Sequence, residues 1–140
     1  MTALENVRTK LADDIGAIIV DANVYAWPVA VPTTPAIVVV PDEPYLEPHT
    51  IGRDPVQARA RFRLTALVAQ IDNAGSLTRI EHLLTALLAA LPTGYSVANV
   101  SRPGITTVGP SEMLAADLLV AVPVELHPPD HLEPEPAPED

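Results

Sequence analysis

The chain has no cysteine, which excludes disulfides, thiolate metal sites and a cysteine nucleophile together. Aromatic residues are almost as scarce, with one Trp, three Tyr and one Phe in 140 residues. Any core must therefore be built from Leu, Val, Ile and Ala. Positive charge is short as well: eight Lys plus Arg face eighteen Asp plus Glu, for a formal net charge of -10. That balance argues against general binding to nucleic-acid phosphates and against an anionic membrane surface, while leaving room for a local basic strip. No apolar run approaches the length of a membrane span. Glu5, Arg8, Lys10, Asp13 and Asp14 break up the first twenty residues, so no signal peptide is expected there. The expectation is a soluble protein made in a cytoplasm, with no role for a membrane.

What is present organises into one domain over 1–126 and a tail over 127–140. Hydrophobic residues make up 48% of the chain, too many for a disordered one. Thr2 and Glu5 match a capping box, and Leu4, Val7, Leu11, Ile15 and Ile18 or Ile19 recur at helical spacing, which predicts a first helix over about 3–19. Arg8 and Lys10 should face outward. "NVYAW" (23–27) and "AIVVV" (36–40) read as short strands, the second of them buried. Residues 29–35 read as a loop, and so do 41–55, whose four prolines carry no period. A connection that long in a compact domain is usually functional or ordered by a partner.

The segment 56–69, "VQARARFRLTALVA", alternates throughout and is the clearest strand in the chain. Asp72, Asn73 and Ser76 offer caps for a second helix. Leu77, Ile80, Leu83, Leu84, Leu87, Leu88 and Leu91 then form a wide apolar stripe that ends at Pro92 and Gly94. A strand is expected at 95–100, a turn-rich stretch at 101–112 and a long final strand over 114–126, with an edge from Pro123 onward. The class is α+β: a four- to five-stranded sheet, mainly antiparallel or mixed, with two helices packed on one face. The tail holds five Pro and five acids in fourteen residues, a composition that reads as disordered.

Searching for chemistry finds no phosphate-binding glycine loop, HExxH, EF-hand loop or GxSxG. No enzymatic activity, cofactor or resident metal is expected. His82 adjoins Glu81, but neighbouring helical residues diverge by about 100° and do not share a site, so a solvated role fits best. His127 and His131 flank Asp130, where Pro128 and Pro129 oppose the helix that would align two ligands. Trp27 and Tyr45 lie in or near Pro-rich connections and read as loop packing or as interface anchors.

The same long strand sets Arg59, Arg61 and Arg63 on one face. Three roles are open to this stripe. It is a solvated sheet face, a subunit contact neutralised by acids of a neighbouring copy (Asp42, Glu43 and Glu47 being candidates), or a contact with threaded DNA. A ring of identical chains would multiply each arginine by the copy number and give even an acidic protein a basic band.

A capped helix, "PAIVVVP", a long polar connection, the alternating strand, "SLTRIEHLLTALLAALP" and "MLAADLLVAVPVEL" follow one another. In order and texture the chain resembles the tail terminator proteins of long-tailed bacteriophages over about 1–126, with the acidic tail outside the likeness. The resemblance implies a structural virion protein: a homo-oligomeric ring, hexameric in the family, that caps the tail tube, ends its polymerisation and offers a surface to the head. Its implied partners are other copies of itself, the tail tube protein and the head-tail connector protein. The family's loops and sheet edges touch neighbours, which adds Arg53, Arg102 and Glu112 to the candidate interface residues. Another neck protein, such as a connector or completion protein, is the alternative, and a small non-viral binding domain or a substrate-binding enzyme is the more distant one.

Overall fold

In a computed structural model of the chain, residues 3–48, 56–71 and 73–127 are described. Thr2, Arg53, Asp72, His131 and nearly all of the acidic tail lie outside them. The elements run α1 (Ala3–Ile18), β1 (Asn23–Tyr25), β2 (Ala36–Pro48), β3 (Val56–Ala69), α2 (Asn73–Ala90), β4 (Ser96–Val100), β5 (Gly104–Val108) and β6 (Ser111–Leu126). The fold is α+β, with two helices and six strands in one mixed, mostly antiparallel sheet.

β3 and β6 form its centre. They pair antiparallel from Val56↔Leu126 to Ala69↔Met113 with no shift of register. β2 lies antiparallel on the other side of β3, and β1 adds three parallel residues against the start of β2. On the outer side of β6, β5 and β4 lie end to end. Their register slips by one residue between Val97 and Asn99 and by another before Gly104. Beyond Ala121 nothing on that side pairs with β6 among the described residues, so Pro123 stands at an edge, where strand geometry tolerates proline.

Alternation fixes the two faces. Ala58, Ala60, Phe62, Leu64, Ala66 and Val68 are all buried, and with Leu114, Ala116, Leu118 and Val120 of β6 they form the floor under both helices. α1 supplies Leu11, Ala12, Ile15 and Ile19; Ile18 is 63% exposed, which settles the choice between the two isoleucines. α2 supplies Ile80, Leu83, Leu84, Leu87 and Ala90. Leu77 and Leu88 were expected in this stripe, yet they stand 42% and 45% exposed. At 100° per residue both lie well to one side of the Ile80–Leu87 line, so the stripe is narrower than the sequence suggests.

Two connections also differ from expectation. Residues 41–48 are not loop but the second half of β2, with an irregularity between Pro41 and Leu46. β1 covers β2 only as far as Val38, so these prolines occupy a sheet edge, where strand geometry tolerates them. The turn-rich stretch 101–112 contains β5, which raises the strand count to six. Gly109 at φ 59 turns β5 into β6 through a two-residue connection, a geometry that favours glycine.

Opposite the helices, Ala36, Val38, Leu67 and Met113 form a second, smaller cluster. Residues 26–35 cross toward it as a strap. Asn23 Nδ2 donates to the Thr33 carbonyl at 2.9 Å, and the Thr33 N–H donates to the Tyr25 hydroxyl at 3.1 Å. No helix among the described residues is long and apolar enough to cross a membrane.

Candidate functional site

The arginine stripe occupies the helix-free face, with Arg63 at the margin of the concavity beneath the strap. Arg59 is exposed and makes no ion pair among the described residues. Arg61 is held from two sides: its Nη2 lies 3.2 Å from Asp42 Oδ2 and its Nη1 3.3 Å from Glu47 Oε1. Both acids belong to β2 of the same chain, where the irregularity after Pro41 turns them onto one arginine; bulges commonly re-aim side chains in this way. Arg61 therefore has carboxylates of its own chain on two sides. Arg63 faces β6, with its Nε 3.9 Å from Asp117 Oδ1.

Asp117 was not singled out in the sequence, because only the β3–β6 register sets Thr65 opposite it. Its Oδ1 accepts the Thr65 hydroxyl at 2.7 Å, its N–H donates to Ser101 Oγ at 2.8 Å, and its carbonyl accepts the Ser101 N–H at 2.7 Å. The stripe is thus a row of cross-strand pairs with one uncompensated member, Arg59. At the far end of the same row Gln57 donates to Glu125 at 2.9 Å.

The remaining candidates divide. Tyr45 packs on the core, its ring edge-on to Phe62 at 5.7 Å between centroids. Trp27, in the strap, is 57% exposed. Glu43, Arg102 and Glu112 are exposed and form no ion pairs among the described residues. These residues do not converge on a single place: Asp42, Glu47 and Arg61 meet, while Trp27, Arg102 and Glu112 lie apart from them.

Two concavities border these elements. One, of about 670 Å³, is a groove between the end of α1 and one flank of α2, lined by Ile19, Ala22, Ile71, Leu83 and Ala86, with Arg79 among its polar residues. The other, of about 450 Å³, lies beneath the strap and ends at Arg63, Thr65 and Asp117. Buried Ser76 braces the first. Its Oγ accepts the Ile71 N–H at 3.0 Å and donates to the Ala69 carbonyl at 3.2 Å, tying the end of β3 to the first turn of α2. The sequence offered Ser76 only as a cap.

His82 is exposed on α2, and His127 lies 4.0 Å from Glu125 on the surface. Among the described residues no group of three His, Asp or Glu is placed to hold a metal ion. Among the described residues the one strongly perturbed acid is the Tyr95 phenol, pushed up to about 12 by burial and then by the Asp14 carboxylate. It sits between α1 and the start of β4, beside Leu11 and Val122, as a packing residue. No protein-family model and no curated protein matches the chain.

Proposed function

We propose that this chain is a tail terminator of a long-tailed bacteriophage, a structural protein of the virion neck that works by ring assembly and not by chemistry. The observation that carries the proposal is the order of elements on which the likeness rests. It is realised as two antiparallel-sheet halves around a central β3–β6 pair, with both helices on one face. The proposed partners are further copies of the chain in a ring of six, the tail tube protein and the connector on the head side. The protein would be made in the host cytoplasm and end in the virion.

The mechanism is geometric. One ring face pairs with the last ring of the tube, and the other lacks what a further tube ring needs in order to add. DNA contact, if the stripe lines the lumen, falls to Arg59, since Arg61 and Arg63 already have carboxylates of their own chain beside them. Light scattering on the purified chain, followed by electron microscopy of polymerising tube protein with and without it, tests the proposal. Capped tubes of limited length support it; unlimited tube growth at saturating protein refutes it.

A further inference from the structure

The described residues include ten large apolar side chains that are at least 39% exposed, and they are not scattered. Leu77, Leu88, Val97, Val100 and Ile105 form one group. Leu77 and Leu88 are eleven residues apart, three helical turns, and share a flank of α2. Val97, Val100 and Ile105 pair with Val120, Leu118 and Leu114, all on the core side of β6, and directly paired residues share a face. The strip therefore points to the helix side of the sheet. α2 turns its other flank, with Arg79, Leu83 and Ala86, toward α1. The Leu77–Leu88 flank consequently overlooks β5 and β4, where the sheet continues and neither helix does.

On the opposite flank of α2, exposed Ile71 lines the 670 Å³ groove, and exposed Ile18 and Val20 flank its lining residue Ile19 in sequence. The groove's lining carries Arg79 together with Asp21 and His82, and of these the arginine can pair with an acid at the strip. Glu112 pairs with Thr107 on the Ile105 side of the hairpin and is exposed without an ion pair among the described residues. Arg79, at the groove, has no carboxylate partner among them; its guanidinium reaches only Ser76 Oγ at 3.4 Å. Ile105, at 61% exposure the most prominent of its group, is a projection without cover among the described residues, and the groove is a largely apolar recess that none of them fills.

We propose that the β4–β5 strip of one copy, led by Ile105, seats in the α1–α2 groove of a second copy, with Glu112 of the first against Arg79 of the second. Because α2 separates the two surfaces, the contact is head-to-tail. Each copy gives one surface and receives at the other, which generates a ring if the rotation closes and a filament if it does not. An apolar centre with charges at its margin is the general arrangement of a protein–protein interface. Ring closure rests on the preceding proposal; the contact itself does not.

The test uses the full chain with Ile105→Asp and Ile71→Asp. Both positions are exposed, so unchanged thermal melting should confirm folding in each case. In sedimentation velocity the parent chain is expected to assemble, each variant alone to associate at least tenfold more weakly, and their equimolar mixture to stop at a dimer. That mixture has one intact surface of each kind. Glu112→Arg should weaken assembly, and adding Arg79→Glu to the same chain should restore it. Variants that assemble like the parent overturn this contact while leaving the ring proposal standing. A mixture of folded variants that stays monomeric overturns the head-to-tail geometry. A parent chain that remains monomeric at high concentration, with or without tube protein, refutes both proposals.

Discussion

Among the described glycines, Gly109 combines a positive φ with a close neighbour. Its φ of 59 is strained for an L side chain, and a Cβ there would lie 3.2 Å from Val31 Cγ2 on the strap. Gly109→Ala is expected to lower stability by about 1–3 kcal/mol, read as a fall in the denaturant midpoint with m unchanged; Gly104→Ala, where a Cβ meets nothing within 4 Å, serves as the control. Tyr95 makes a prediction in pH. Its folded pKa is raised from 10.0 to about 12, so the unfolded chain loses this proton first. The contribution is fully present below pH 10 and is lost as pH climbs toward 12. Urea midpoints should fall across that window, and fall less in Tyr95→Phe. Arg61 and Arg59 differ as a held and a free charge. The side chains of Arg61 and Asp42 are 25% and 12% exposed, so a double-mutant cycle between them should give a coupling near 1 kcal/mol or above, against about 0.3–0.5 for the exposed Lys10–Asp14 pair. Arg59→Glu should change stability by less than about 0.5 kcal/mol.

Among the elements, α2 gives the sharpest contrast. Leu87→Ala, at a position with no exposure, should cost about 2–5 kcal/mol, whereas Leu88→Ala next to it should cost far less; chemical denaturation of the two distinguishes them. The sequence reveals α2 and β3 well, since each carries a long period and clear stops. It reveals the apolar stripe of α2 less well, because an amphipathic pattern cannot say how far the sheet extends beneath the helix. Residues 41–48 read as loop because proline and charge suppress every strand signal there, and only the short reach of β1 makes that edge habitable. β5 was missed for a similar reason: five residues with two threonines and a glycine have no period, and their place comes from pairing with β6. The site follows the same division. Local alternation put three arginines on one face, but their partners Asp42, Glu47 and Asp117 depend on register across strands, which no local pattern records.

At the level of the whole molecule, charge and apolar surface are arranged separately. The helix-free face settles most of its own charge, while two apolar surfaces flank α2 on the other. Trp27, the single tryptophan, reports on neither surface directly. At 57% exposure its emission should be red-shifted and open to iodide quenching, and a blue shift on adding tube protein would mark the strap as part of that contact. The slipped register of the outer strand has a further consequence. Val97, Val100 and Ile105 are three and five residues apart, odd spacings that in an unbroken strand would put neighbours on opposite sides. They agree in direction only because Ala98 and the stretch before Gly104 each absorb one residue. Deleting Ala98 would therefore remove the bulge and leave Val97 and Val100 two residues apart, still on one side of a now regular strand. The slips thus act as spacers: they hold three apolar side chains to one side of the sheet at intervals that an unbroken strand would divide between two.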